Sequence, residues 1–168
     1  MAKLKGTKKL NKKMTEIFRV SDDDIRLKLS DIYSYIFEKE VVTFTVKESI
    51  EDKWLDEFIK ERFGYTVKYS FVMSILHELG HHFNNDDIEG DIYEFCMAEK
   101  ERIEKEIAFA DMDRSKELEW QYFNLPDEIM ATAWAVEWAK HHKKEMKEMN
   151  NKAMQALKDF YEENNVTE

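Results

Sequence analysis

From Phe71 to Phe83 the chain is apolar on almost every side of a helical projection. Phe71, Val72, Met73, Ile75, Leu76, Leu79 and Phe83 leave no continuous polar face, and Glu78 is the only charged residue in the stretch when its histidines are neutral. A helix of that kind belongs inside a protein, with other elements packed all round it. A bare carboxylate in such a helix is costly unless something pairs with it. That carboxylate belongs to a pattern, His77-Glu78-Leu79-Gly80-His81, which places two imidazoles four residues apart.

On an α-helix, positions i and i+4 stand one above the other on the same face. His77 and His81 therefore have the spacing to direct lone pairs at one metal ion. Glu78 lies about 100° further round the helix, too far aside to be a third ligand from that face but within reach of a bound water. Zinc suits such a set, because it accepts neutral imidazole and needs only three protein ligands when catalytic. It lowers the pKa of bound water towards about 7, and a neighbouring carboxylate can then act as general base. The expected roles are His77 and His81 as Zn2+ ligands and Glu78 as the catalytic base.

The chain has 168 residues, a length that suits one domain with a real core. Four glycines and one proline, with abundant Glu, Lys, Met and Leu, favour a mainly helical protein. The single cysteine, Cys96, excludes an intrachain disulfide and fits a reducing, cytoplasmic setting, where it reads as a small apolar filler. No apolar run approaches the length of a membrane span, and the lysine-rich start lacks the apolar segment of a signal peptide. The first thirteen residues hold six lysines and no acid, so the remaining 155 carry 20 basic and 36 acidic side chains, a balance of −16. An acidic body is not expected to bind nucleic acid directly, and residues 1–20 read as a basic, flexible, solvated tail. Residues 21–168 are then a single domain.

Within that domain, Ser21-Asp22-Asp23-Asp24 resembles an N-cap followed by first-turn acids, and Ile25, Leu29, Ile32, Ile36 and Phe37 follow at helical spacing. Val41–Val46 turns β-branched and aromatic, which predicts a strand. Helical spacing resumes from Asp52 to Phe63, with Gly64 placed as a C-terminal cap. Tyr65–Tyr69 is a second short strand candidate, and Ser70 a candidate cap for the His-Glu helix. Further helices are expected over about Asp91–Ala110, around Ser115–Phe123, and from Pro126, a residue tolerated in a first turn. Met146, Met149, Ala153, Leu157 and Phe160 stand near heptad spacing, giving a C-terminal helix with a face for the body or for a second subunit.

Two histidines do not complete a catalytic zinc site. Glu128 is the best candidate for the third ligand, since Ala131, Thr132 and Ala135 on its helical face are small enough to let another helix come close. Glu137, nine residues on, lies about 180° round the helix from Glu128, and His142 shares its face but about 21 Å along the axis. His141 faces elsewhere. The alternative role for Glu128 is an ordinary first-turn acid favoured by the helix dipole.

His77-Glu78-Leu79-Gly80-His81, followed by Glu128-x-x-Ala131-x-x-Trp134-Ala135, resembles the ImmA/IrrE-type metallopeptidases of the gluzincin group. The likeness covers mainly the helix of the motif and the helix of Glu128. It departs from the family pattern at Met130, at Asn84-Asn85 and in the lead-in to the motif. Members occur widely in phages and mobile elements, and some cleave or control transcriptional repressors. The resemblance implies Zn2+ bound by His77, His81 and Glu128, with Glu78 as base. It also implies an α+β, mostly helical, zincin-like fold with a small β-sheet beside the active-site helix. The expected activity is zinc-dependent endopeptidase action on a cytoplasmic protein, with a DNA-binding repressor among the candidate substrates.

Tyr69, Tyr93, Tyr122 and His82 are all candidate donors to an oxyanion, and either predicted strand is a candidate platform for an extended peptide. A non-catalytic module that keeps the zinc and sequesters a partner is the alternative, against which the presence of Glu78 weighs. A di-iron bundle needs a second Glu-x-x-His, which the chain lacks, and a deformylase-like site needs a cysteine upstream of the motif, whereas Cys96 lies downstream.

Overall fold

A computed structural model describes residues 4–47, 50–84 and 87–164, and these form a mostly helical α+β fold with one small sheet. In chain order the elements are α1 (Thr7–Ile17), β1 (Arg26–Leu29), β2 (Ser34–Ile36), β3 (Val41–Phe44), α2 (Ile50–Phe63), α3 (Ser70–Asn84), α4 (Gly90–Ile107), α5 (Met112–Phe123), α6 (Pro126–His141) and α7 (Lys143–Glu163). The apolar stretch is α3, and it is enclosed as its composition demands. It packs against α2, α6, α7, β2 and β3, and Val72, Met73, Ile75, Leu76 and Leu79 are at most 1% exposed.

The sheet has the order β1-β3-β2, with β1 parallel and β2 antiparallel to β3. Leu27 and Tyr35 both register with Val42, which is completely buried. The expected strand at Val41–Val46 is thus present, shortened to Val41–Phe44 and placed at the centre. The helix expected after Ser21 is absent, and β1 and β2 stand in its place. Ile25-Arg26-Leu27-Lys28-Leu29 alternates apolar and charged residues with period two, and Leu27 is buried while Arg26 and Lys28 are exposed. That alternation is the strand signature, and it overrides the coarser helical spacing.

The lysine-rich start departs most from expectation. Instead of a flexible tail over 1–20, Thr7–Ile17 is a helix whose Leu10 and Met14 are buried, with Phe18 buried just beyond it. These three side chains recur every four residues, a stripe hidden among lysines. α1 packs on β1 and α7, Lys9 pairs with Glu163, and Lys13 Nζ lies 2.9 Å from Asp159. It also closes one edge of the sheet, since the amides of Leu27 and Leu29 donate to Thr15 Oγ1 and Asn11 Oδ1, each at 2.9 Å. β2 is left as the strand at the other edge.

Gly64 caps α2 as expected, with φ +63° and its amide bonded to the Lys60 carbonyl at 3.1 Å. Tyr65–Tyr69 joins no sheet. Ser70 is the first residue of α3 and gives its hydroxyl to Asp56 of α2 instead of capping. α5 begins three residues earlier than expected, at Met112, because Asp111 caps it by accepting the Arg114 amide at 2.9 Å. The apolar face of α7 is used within the chain, where Met146, Met149, Ala153, Ala156, Leu157 and Phe160 are all buried. No helix among the described residues is long and apolar enough to cross a membrane.

Most buried apolar side chains belong to one core around α3. Cys96 and Ile103 of α4 form a separate small cluster with Leu118 of α5 and Leu125.

Candidate metal centre

α3 and α6 pack more extensively than any other pair of elements, and Gly80 is where they meet. A Cβ at residue 80 would stand 2.3 Å from the backbone oxygen of Ala131, so no other residue permits this approach. Ala131, Thr132 and Ala135 on the opposing face are completely buried. Asn84 fastens the pair near the end of α3, donating to the Gly80 carbonyl at 2.7 Å and to the Met130 carbonyl at 3.4 Å.

The close approach brings Glu128, in the first turn of α6, against the two histidines of α3. His77 Nε2 lies 2.9 Å from Glu128 Oε2, and His81 Nε2 lies 3.3 Å from Glu128 Oε1. The three ligand atoms all fall within 4.8 Å of one another. Ligands on a tetrahedral zinc with bonds of about 2.05 Å stand about 3.3 Å apart, a spacing that the two histidine–Glu128 distances already approach. His77 and Glu128 are buried, at 4% and 2% exposure, and His81 is half-buried.

Thr132 sets the orientation of His77. Its hydroxyl donates to the Glu128 carbonyl at 2.7 Å and lies 3.0 Å from His77 Nδ1. With its one hydrogen committed to the carbonyl, that hydroxyl accepts from Nδ1–H, leaving the Nε2 lone pair facing the Glu128 carboxylate. A lone pair and a carboxylate at 2.9 Å repel unless a positive charge lies between them. That geometry calls for a positive charge at the cluster, supplied by a proton on the ring or by a metal ion.

Charge makes the same point. Lys100 of α4 reaches in, with Nζ 2.5 Å from Glu128 Oε1, paired also with Asp127 and 5.2 Å from the centre of the Tyr122 ring. Asp127 and Glu128 as carboxylates against the one ammonium leave one negative charge uncompensated, and Glu78 adds a second when it ionises, a total that a single divalent cation cancels. Protonating both imidazoles supplies the same charge, so protons and metal compete for the site. Burial works to raise the Glu128 carboxyl, but His81, His77 and Lys100 together hold it well below the usual carboxylate range. Burial works to lower the Lys100 ammonium, yet Glu128, Tyr122 and Asp127 raise it.

Glu78 retains partial access to water beside the pair of histidines. Burial pushes its carboxyl up to about 7, with His77 opposing and Glu128 adding to the rise. A carboxyl poised there suits a group that must both take and return a proton near neutrality.

All four expected site residues are thus assembled in one place. His141 and His142 lie outside it, as expected. His141 and His142 bond through Nδ1 to the carbonyls of Glu137 and Trp138, at 2.9 and 2.8 Å, and His142 stacks on Trp138. The candidate oxyanion donors separate. His82 is committed to Tyr35 Oη at 2.8 Å and to Asp23 at 3.2 Å, tying β2 and the loop before β1 to α3. Tyr93 projects from α4, 47% exposed. Tyr122 is half-buried beside Lys100, where burial and Glu128 push its phenol up. Tyr33, which no sequence signal singled out, feels both Asp52 and Glu78.

Sequence reasoning missed Lys100, Asp127 and the second role of Thr132. Thr132 stands four residues after Glu128 and was readable as a neighbour on its face. Nothing in the sequence pairs Lys100 with residues a whole helix away. No family model matches this chain, and neither a curated protein nor a solved structure matches it.

Proposed function

We propose that the protein is a zinc-dependent endopeptidase of the ImmA/IrrE type, zincin-like in fold, acting on a protein substrate in the cytoplasm. The observation that carries this reading is the convergence of His77, His81 and Glu128 with Glu78 alongside. His77 and His81 offer Nε2 and Glu128 a carboxylate oxygen, a donor set that suits zinc. When bound, zinc supplies Lewis acidity to a peptide carbonyl and to water. Glu78 accepts a proton from the attacking water and returns it to the leaving amine nitrogen as the C–N bond breaks. Thr132 keeps His77 in the tautomer that presents Nε2, and Lys100 holds Glu128 through Oε1, the oxygen that also faces His81.

The strands expected as peptide platforms do not serve. β3 is paired on both sides, and Tyr65–Tyr69 is not in the sheet. β2 remains as an edge strand packed beside α3, with Ile36 exposed at its end and Ile32 and Phe37 exposed in the chain on either side of it, and an extended substrate fits there by strand addition. The catalytic reading is tested with an internally quenched fluorescent peptide library on zinc-loaded protein. Glu78→Gln is expected to keep its metal and lose cleavage. Cleavage that survives this substitution overturns the role of Glu78 and the reading with it.

A further inference from the structure

The fold fixes Lys100 in place. Cys96 lies one turn before it and Ile103 one turn after it on the same side of α4, and both are buried, so the stem is held between two anchors. Its ammonium stands 5.2 Å from the centre of the Tyr122 ring and pairs with both Asp127 and Glu128. Asp127 is 6% exposed, and its other oxygen, Oδ1, is buried with no hydrogen-bond partner among the described residues. Among those residues Lys100 is thus the one cation paired with Asp127, and moving it away would strand a buried carboxylate. An ammonium tethered in this way stays where it is when a metal ion arrives at Glu128.

The two oxygens of Glu128 are consequently unlike. Oε2 faces His77 Nε2 at 2.9 Å and carries no lysine or arginine. Oε1 faces His81 Nε2 at 3.3 Å and also holds the Lys100 ammonium at 2.5 Å. A dication bonded to Oε1 would stand no more than about 4.5 Å from that ammonium, and like charges that close in a buried site repel strongly. Oε2 has no such neighbour.

We infer that Lys100 is a positioning residue that restricts Glu128 to one coordinating oxygen, Oε2, and so holds the centre to the low coordination number that suits zinc. A glutamate with both oxygens free can chelate, which moves a site towards the octahedral, oxygen-rich shell that Mn2+ prefers. Lys100 thereby sets which metal the same three ligands select. The inference rests on the metal centre of His77, His81 and Glu128 and is independent of whether the protein cuts peptides.

Co2+ is the first probe, because its visible absorption is intense in a four-coordinate site and weak in a more highly coordinated one. Full-length wild type, Lys100→Met and Lys100→Arg are each loaded with Co2+, and their Zn2+ and Mn2+ affinities are measured by competition with a chelator. Wild type is expected to give the intense spectrum and Lys100→Met a weak one. Loss of the ammonium raises affinity for every dication, so the ratio of the Zn2+ and Mn2+ dissociation constants isolates the mode of coordination. That ratio is expected to shift about tenfold towards Mn2+ in Lys100→Met. Lys100→Arg, which keeps a cation and a donor, is expected to retain the wild-type spectrum and ratio. Circular dichroism checks that each variant folds. Infrared difference spectra of wild type with and without Zn2+ need no variant, and a wide separation of the two carboxylate stretching bands is expected, as for a single coordinating oxygen. The same spectrum and ratio in wild type and Lys100→Met, or the narrow separation of a chelating carboxylate in wild type, overturns the inference and leaves the metal centre standing. A wild type that binds neither Co2+ nor Zn2+ overturns the metal centre and the inference with it.

Discussion

The α3–α6 pair and the α4–α5 hairpin hold the candidate metal centre between them, and they are built in opposite ways. Where α3 meets α6, the facing residues are glycine, alanine and threonine, completely buried and close enough for a backbone oxygen to exclude a Cβ. The hairpin packs through a small cluster of four buried side chains and, from α5, through Trp120 and Phe123 against Phe58 of α2, and it leaves Ile92, Tyr93, Phe95, Met97, Phe109 and Met112 exposed. All three candidate metal ligands, and the hydroxyl beside one of them, come from the tight pair. The hairpin contributes Lys100, a charge rather than a ligand. Ligand geometry tolerates errors of a few tenths of an ångström at most, whereas a compensating charge acts over a longer range. The division of labour between the two regions follows that difference in tolerance.

Substitutions of one residue type at matched places sharpen the contrast. Gly80→Ala drives a methyl into the Ala131 backbone, and we expect a loss of about 4 kcal/mol in urea unfolding, together with loss of metal binding. Lys100→Met leaves Asp127 and Glu128 buried without their cation, at a cost of about 3 kcal/mol in metal-free protein. Zinc should recover part of that loss, because its positive charge acts on the same carboxylates. A Lys100→Met protein that zinc stabilises no more than wild type would break the proposed division. Thr132→Val removes the acceptor for His77 Nδ1 and should cost about 2 kcal/mol and about tenfold in zinc affinity, read by competition with a chelator. At the start of the hairpin, Gly90 has nothing within 4 Å of a built Cβ, so Gly90→Ala should stabilise by about 0.5 kcal/mol.

The tight pair was also the legible one. His77, Glu78 and His81 announce themselves by spacing, and the small residues beside Glu128 announce a close helix partner, since both are local patterns on one helix. Where the reading failed, two local patterns competed or the decisive contact was distant. Ile25 to Phe37 carries both a period of two and a looser helical spacing, and pairing with Val41–Phe44 selects the strands. In α1, the lysines concealed Leu10, Met14 and Phe18, whose burial depends on β1 and on α7, far along the chain. Lys100 was invisible for the same reason, because its partners lie across a whole helix hairpin. Charge composition described the surface of α1 correctly and said nothing about its inner face.

The claim on which the rest depends is that His77, His81 and Glu128 bind one metal ion. Metal content by mass spectrometry, on untagged wild-type protein beside Glu128→Ala, tests it most directly. About one zinc per chain is expected in the wild type, with a marked loss in the variant. Zinc bound by neither protein, even when supplied, contradicts the metal centre, and zinc bound equally by both contradicts the place of Glu128 in it.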